Sequence, residues 1–270
     1  DEVTIAAVIL DAYRALEKLA KHPKINKDKV ALTGWSLGGG VTLFAGWMPL
    51  KEAITDQVSF AAHLAFYPPC FINPENLSFT KAPIHILIGE ADNWTPAKPC
   101  ENLVKKLSDK TNIKITTYPG AHHGFDSEEP VVWNEKGYSF KDCLFDLTAE
   151  GDVLMNYLRL PMSSPMLQKI GFLFCVDKGV NVGGNLDARK KSLAFAKDFM
   201  NNNDKQVLIL ESLYFVIISQ CKKNYFLHNF FFKRRVCKND RFGYCIFTRK
   251  ATHISQTDLC RKFFTRSFSF

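Results

Sequence analysis

Apolar residues Ala6, Ile9, Tyr13, Leu16 and Ala20 recur three and four positions apart, with Arg14, Glu17, Lys18 and Lys21 between them. That period predicts an amphipathic helix. His22-Pro23 stops it, because a residue before proline is pushed out of the α region. A polar turn over 26–29 leads into the apolar run Val30-Ala31-Leu32, a strand of buried type. The glycine-rich stretch Gly34-Trp35-Ser36-Leu37-Gly38-Gly39-Gly40 follows, and the apolar segment 41–47 reads as the next helix. Further strands are predicted over 60–67, stopped by Pro68-Pro69, over 84–88, and over 112–118, closed by Pro119-Gly120. Thr95-Pro96 reads as an N-cap with proline at the first helical position, opening a helix that carries Leu103, Val104 and Leu107. Asn185 caps a last helix with Leu186, Leu193, Ala196 and Met200 on one face. Strands alternating with helices in this way predict an α/β fold with a mainly parallel sheet.

The pattern fails in two places. Residues 127–180 show no clean period, and beyond Asn201 it breaks into clusters such as Phe230-Phe231-Phe232-Lys233-Arg234-Arg235. Composition changes at that second point. The 270-residue chain has a net charge of +8, yet residues 1–200 hold 22 Lys+Arg against 23 Asp+Glu. Residues 201–270 hold 13 against 4, with 11 of the 23 Phe. We therefore expect a nearly neutral domain over 1–200 and a basic, Phe-rich, irregular tail over 201–270 that contributes no function. The surplus charge belongs to the tail, so no nucleic-acid partner is expected for the domain. No run approaches the roughly 18 apolar residues of a membrane-spanning helix; 206–219 is too short and contains Glu211. The chain opens at Asp1, without Met, directly into a helix pattern, and reads as a fragment.

Candidate chemistry begins at Gly34-x-Ser36-x-Gly38. A serine on a sharp strand-to-helix turn stands with Oγ exposed at the carboxyl edge of a sheet, and glycines two before and two after relieve the crowding. The backbone N–H of Leu37, at the helix start, supplies half of an oxyanion hole. Folds built on this elbow take their acid and then their histidine from later loops. Asp92, after the 84–88 strand, and His123, after the 112–118 strand, stand in that order. Asp126 is a competing acid and His122 a competing base. Ser36, Asp92 and His123 are the expected catalytic residues. Trp35 and Trp94 are candidate substrate-lining aromatics, and Glu90 lines the mouth or holds a turn. His63 and His85 lie in apolar strands and read as structural. No spacing suits a metal site, and no cofactor is implied. Cys70 and Cys100 either pair, as in oxidising compartments, or remain free thiols.

The motifs GWSLGGG, LIGEADNWTP, YPGAHHGFD and the closing VGGN resemble the dienelactone hydrolase family of α/β-hydrolases, from about Asp1 to Met200. The resemblance implies a doubly wound sheet without a large cap domain. It also implies a Ser36–His123–Asp92 triad, His123 occupying the family position directly before Gly-Phe. The best-known dienelactone hydrolases carry Cys in the elbow, so Ser36 points to a serine esterase or lactonase acting on a small ester or lactone. The family's first strands, and the loop giving its second oxyanion donor, would precede Asp1. An inactive hydrolase-like fragment is the alternative expectation.

Overall fold

A computed structural model describes residues 4–23, 25–155 and 158–201, with the backbone of 206–211, 214–219 and 243–247. In chain order the elements are α1 (Ile5–Leu19), β1 (Val30–Trp35), α2 (Leu37–Phe44), α3 (Met48–Ile54), β2 (Ala62–Phe66), β3 (Ile72–Pro74), β4 (Ile84–Gly89), α4 (Ala97–Leu107) and β5 (Ile113–Tyr118). They continue as β6 (Val132–Ser139), β7 (Phe145–Leu147), β8 (Val153–Leu154), α5 (Pro165–Leu173), β9 (Asp177–Val182) and α6 (Leu186–Asn201), then β10 (Gln206–Glu211), β11 (Tyr214–Ser219) and β12 (Gly243–Phe247). The central sheet has the order β12-β11-β10-β1-β2-β4-β5. The run from β10 through β1, β2 and β4 to β5 is parallel, and β11 and β12 are antiparallel additions.

Strands β1, β2 and β4 are buried almost throughout, which is why they read as continuous apolar runs rather than alternating ones. On α1, capped by the Thr4 side chain, the buried face is Ile9, Ala12, Tyr13, Leu16 and Leu19. Ala6, placed on that face by the pattern, is exposed. The Tyr13 hydroxyl donates to the Ala45 carbonyl (2.7 Å), so its burial leaves no orphaned polar group.

Helix α2 begins earlier than the apolar run suggests. Gly38, Gly39 and Gly40 are helical and fully buried, not part of a loop. Their role is close approach. A Cβ on Gly39 would lie 2.5 Å from the Phe66 carbonyl oxygen, and one on Gly40 would lie 2.8 Å from the Pro69 ring. The glycines thus let α2 lie directly against the end of β2. Helix α6 differs in part: Asn185 Oδ1 accepts from Ala188 N (3.0 Å) and Ala196 and Met200 pack against the core, but Ala188 and Ser192 are the buried positions while Leu186 and Leu193 are exposed.

The aperiodic segment 127–180 holds mostly exposed elements and contributes five of the six residues of a second, smaller core. Phe71, Cys143, Phe145, Met155, Met162 and Cys175 form that core. The small sheets β3-β7-β8 and β6-β9 frame it. Among the described residues two disulfides are present, Cys70–Cys100 and Cys143–Cys175, so the first of these pairs is bonded and not two free thiols. With sequence separations of 30 and 32, each bond removes about 3–4 kcal/mol of unfolded-chain entropy.

The described residues of 201–270, a stretch read from its sequence as irregular, include three strands, and β10 lies parallel beside β1 with Val30 opposite Gln206 and Gly34 opposite Leu210. Side chains of this stretch lie outside the described residues. No helix among the described residues is long and apolar enough to cross a membrane.

His85 on β4 couples the fold to pH. Its ring lies 4.3 Å from Phe195 and 6.1 Å from Phe199, and Nε2 is 2.9 Å from Thr116 Oγ1. Burial, assisted by the nearby Lys114 ammonium, lowers its pKa to about 4. The unfolded chain takes up a proton near pH 6.5, where the folded chain does not, so protonation favours unfolding. Stability is expected to be full above pH 6.5 and to fall as pH drops from there toward 4. Thermal melts of wild type and His85→Gln at pH 7.5 and pH 5 test this: the variant should lose less on acidification, and an equal loss would contradict it.

Candidate active site

Strand β1 turns into α2 at Ser36, whose φ of 52° and ψ of −117° lie outside the regions favoured by side-chain-bearing residues. Such strain costs on the order of 1–3 kcal/mol and persists only where surrounding structure enforces it. Here the Ser36 N–H donates to the Phe66 carbonyl (3.0 Å), locking the turn to β2. Gly34 is required as well, since its Cβ would sit 2.2 Å from the Gly38 carbonyl oxygen. Leu37 is the first residue of α2, so its N–H has no acceptor one turn back in the helix. That donor stands directly beside Ser36.

Asp92 follows β4 and is almost wholly buried. Its carboxylate is held on both oxygens. Oδ1 accepts from the backbone N–H of Trp94 (2.9 Å) and Thr95 (2.8 Å). Oδ2 lies 2.8 Å from His123 Nδ1 and 3.1 Å from Thr95 Oγ1. His123 stands between Gly120 (φ 64°) and Gly124 (φ 72°), two left-handed positions that bend the loop after β5 back over the sheet. Its Nε2 is 2.9 Å from Ser36 Oγ. A carboxylate on Nδ1 holds the proton there, leaving Nε2 as the acceptor for the serine hydroxyl. Tyr67 (4.5 Å between ring centres) and Trp94 (4.9 Å) border the imidazole.

The segment 127–184 braces both loops. Phe140 N donates to Trp94 O (3.1 Å), Asn181 N donates to Asn93 Oδ1 (2.9 Å), and Gly183 N donates to His123 O (2.9 Å). Gly183 and Gly184 permit this closure, because Cβ atoms there would lie 2.4 and 2.2 Å from the carbonyl oxygens of Pro130 and Ser127.

The competing residues sit elsewhere. His122 Nδ1 contacts Ala91 O (2.9 Å), tying the histidine loop to the acid loop. Asp126 accepts from Trp35 Nε1 and Tyr67 OH, each at 2.8 Å. Trp35 stacks on Phe66 (4.9 Å, 19°), so its indole N–H is committed to Asp126 and its face to the core. Glu90 Oε2 accepts from Gly120 N (3.3 Å), the turn-holding role. His63 Nδ1 contacts Thr42 O (2.8 Å). Among the described residues, no three His, Cys, Asp or Glu side chains are placed to hold a metal ion.

Sequence reasoning missed Thr95. Its hydroxyl does not cap α4, which starts at Ala97; it reaches Tyr67 O (3.0 Å), Asp92 Oδ2 and His123 Nδ1 (3.1 Å) instead. The available signal was the Asp-x-x-Thr spacing, which lets an aspartate accept from the N–H three residues on. Tyr67 was missed too, and its φ of 35° just before Pro68-Pro69 has no sequence signature of its own.

A mainly parallel α/β sheet, with a strained serine at a strand-to-helix turn and an acid and a histidine on later loops, is of α/β-hydrolase type. The model of the dienelactone hydrolase family matches residues 2–141. The chain belongs to that family. It is 22% identical over 138 residues to the protein named "Putative carboxymethylenebutenolidase" from Synechocystis sp., covering 50% of this chain and 55% of that one. It is 25% identical over 141 residues to "Probable 2-oxo-3-(5-oxofuran-2-ylidene)propanoate lactonase" from Bradyrhizobium sp., covering 47% and 56%. The chain therefore spans just over half the length of these curated relatives. Among solved structures, the propionate-bound esterase Est2 of Thermogutta terrifontis is 21% identical, with a TM-score of 0.39 and coverage of 46% of this chain and 58% of that one.

Proposed function

We propose that this protein is a serine hydrolase of small carboxylic esters or lactones. One observation carries the reading: the unbroken chain Ser36 Oγ–His123 Nε2 (2.9 Å) and His123 Nδ1–Asp92 Oδ2 (2.8 Å), set on a nucleophile elbow. Family membership is consistent with it.

In this reading Ser36 Oγ attacks the acyl carbonyl carbon while its proton passes to His123 Nε2. The carbonyl π pair moves to oxygen, and the resulting oxyanion accepts from the Leu37 N–H. As the C–O bond to the leaving group breaks, His123 returns the proton to the departing alkoxide. Water then attacks the acyl-serine with His123 again as base, releasing the acid and regenerating Ser36. Asp92 accepts from the imidazole N–H, fixing the tautomer of His123 and stabilising the imidazolium. For a lactone the alcohol and acid leave on one molecule. No cofactor enters the cycle.

Folded protein is expected to hydrolyse p-nitrophenyl acetate and a small lactone, with an initial burst of p-nitrophenolate wherever deacylation is the slower step. Absence of turnover in folded protein would instead support an inactive hydrolase-like chain. Thr95→Val offers a finer check. It keeps the backbone donors to Asp92 but removes the hydroxyl that bridges Asp92 Oδ2, His123 Nδ1 and Tyr67 O. Losing one buried hydrogen-bonding group costs about 1–3 kcal/mol. We expect kcat to fall about 10-fold with KM unchanged, as for an interaction that orients the base and does not bind substrate.

A further inference from the structure

Asp126 is the acid of the histidine loop that the proposed triad leaves unused, and it holds two of the site's elements together. Its Oδ2 accepts from the indole N–H of Trp35, the residue immediately before Ser36. Its Oδ1 accepts from the hydroxyl of Tyr67, whose ring borders the His123 imidazole. The Tyr67 carbonyl in turn accepts from Thr95 Oγ1, which reaches Asp92 and His123. Asp126 lies only three residues after His123, so its carboxylate is carried by the same loop as that histidine. The loop is anchored on its far side by Arg189 of α6, whose Nε donates to the Asp126 carbonyl (2.8 Å) and whose guanidinium pairs with Glu128 (2.6 Å).

We propose that Asp126 is a positioning residue, a clamp that sets the separation between the nucleophile elbow and the histidine loop. This inference rests on the serine-hydrolase reading. The elbow and the loop come from different strands, β1 and β5, with β2 and β4 lying between them in the sheet. The 2.9 Å contact between Ser36 Oγ and His123 Nε2 therefore depends on how the two ends are tied above the sheet. The Trp35–Asp126–Tyr67 bridge is such a tie, and the Asp126 carboxylate acts in it through its bonds to Trp35 Nε1 and Tyr67 OH.

The chemistry of the two donors makes the clamp separable from its charge. Trp35 Nε1 can only donate, so it requires an acceptor opposite. The Tyr67 hydroxyl can donate or accept. An asparagine at 126 can turn its carbonyl oxygen to Trp35 and its amide N–H to Tyr67, preserving both bonds without the charge. Alanine preserves neither.

Steady-state hydrolysis of p-nitrophenyl acetate by wild type, Asp126→Ala, Asp126→Asn and Tyr67→Phe tests the clamp, with near-ultraviolet circular dichroism to confirm folding. A misplacement of about 1 Å at a catalytic contact costs on the order of 100-fold. Asp126→Ala is expected to lower kcat about 10- to 100-fold with KM unchanged, and Asp126→Asn to recover most of that loss. Tyr67→Phe, which removes one of the two bonds, should fall between them and keeps the test decisive should Asp126→Ala not fold. A residue that merely stabilises the fold would lower the melting temperature and leave kcat of the folded fraction intact. That outcome overturns the clamp. Equal kcat losses in Asp126→Ala and Asp126→Asn overturn it too, because they assign the effect to charge. Failure of the hydrolase reading shows itself separately, as a wild type that neither turns over ester nor reacts with a fluorophosphonate, and it removes the clamp's function with it.

Discussion

Ser36→Ala and His123→Gln are each expected to lower ester turnover by about 10⁶-fold, and Ser36→Ala/His123→Gln to be scarcely slower than either alone. The non-additivity follows from the chemistry. Without the hydroxyl there is no nucleophile for His123 to deprotonate. Without the imidazole, Ser36 remains a neutral alcohol at ordinary pH. Both variants should fold. Ser36 is a helix N-cap residue whose side chain makes no capping bond, so alanine removes no cap, though the strained φ of 52° is retained. Kinetics of p-nitrophenyl acetate hydrolysis read the loss. A single-variant loss of only about tenfold would mean that another group performs the attack.

Asp92→Asn should cost about 10⁴-fold, and the surroundings of Asp92 dictate why. One oxygen accepts two backbone N–H groups, from Trp94 and Thr95, and an amide NH₂ cannot take that place. The asparagine must therefore keep its oxygen there and turn its NH₂ toward His123 Nδ1. An N–H donor facing Nδ1 makes that nitrogen the acceptor and sends the imidazole proton to Nε2. Nε2 then faces Ser36 Oγ as a donor and no longer as a base. The geometry survives while the tautomer is wrong. Asp126 cannot substitute, since Trp35 and Tyr67 already hold its two oxygens. Comparison of kcat for wild type and Asp92→Asn measures this; near-wild-type turnover would give the acid's role to another carboxylate.

Much of this arrangement was legible because its signals are local. An apolar strand, glycines flanking Ser36 and a helix behind it occupy fewer than 20 consecutive residues. Asp92 follows the continuously buried strand β4 just after Gly89, and His123 follows the partly exposed strand β5 just after Pro119-Gly120. What escaped depends on contacts between distant segments. The start of α2 was displaced because Gly38–Gly39–Gly40 resemble a loop locally, and only the nearby Phe66 and Pro69 backbone and ring explain their place in a helix. On α6, Leu186 and Leu193 fit the helical period yet are exposed, whereas Ala196 and Met200 pack against the core as the pattern expects, together with the buried Ala188 and Ser192. Thr95 carried a strong capping signal, and its hydroxyl went to the site. Segment 127–180 shows no clean period because β6 is mostly exposed and its pairing with β9 shifts register between Asn134 and Tyr138, while α5 buries only Gly171. The surplus positive charge that dominates the composition lies in residues 201–270, which hold 13 Lys+Arg against 4 Asp+Glu.

The most direct test is reaction of the folded protein with a fluorophosphonate, followed by peptide mapping. A serine activated by the His123–Asp92 pair should be phosphonylated stoichiometrically at Ser36, with ester hydrolysis lost in step and no labelling in Ser36→Ala. Folded protein that stays unlabelled, or that is labelled at another residue while Ser36 remains free, would contradict the assignment of Ser36 as the nucleophile.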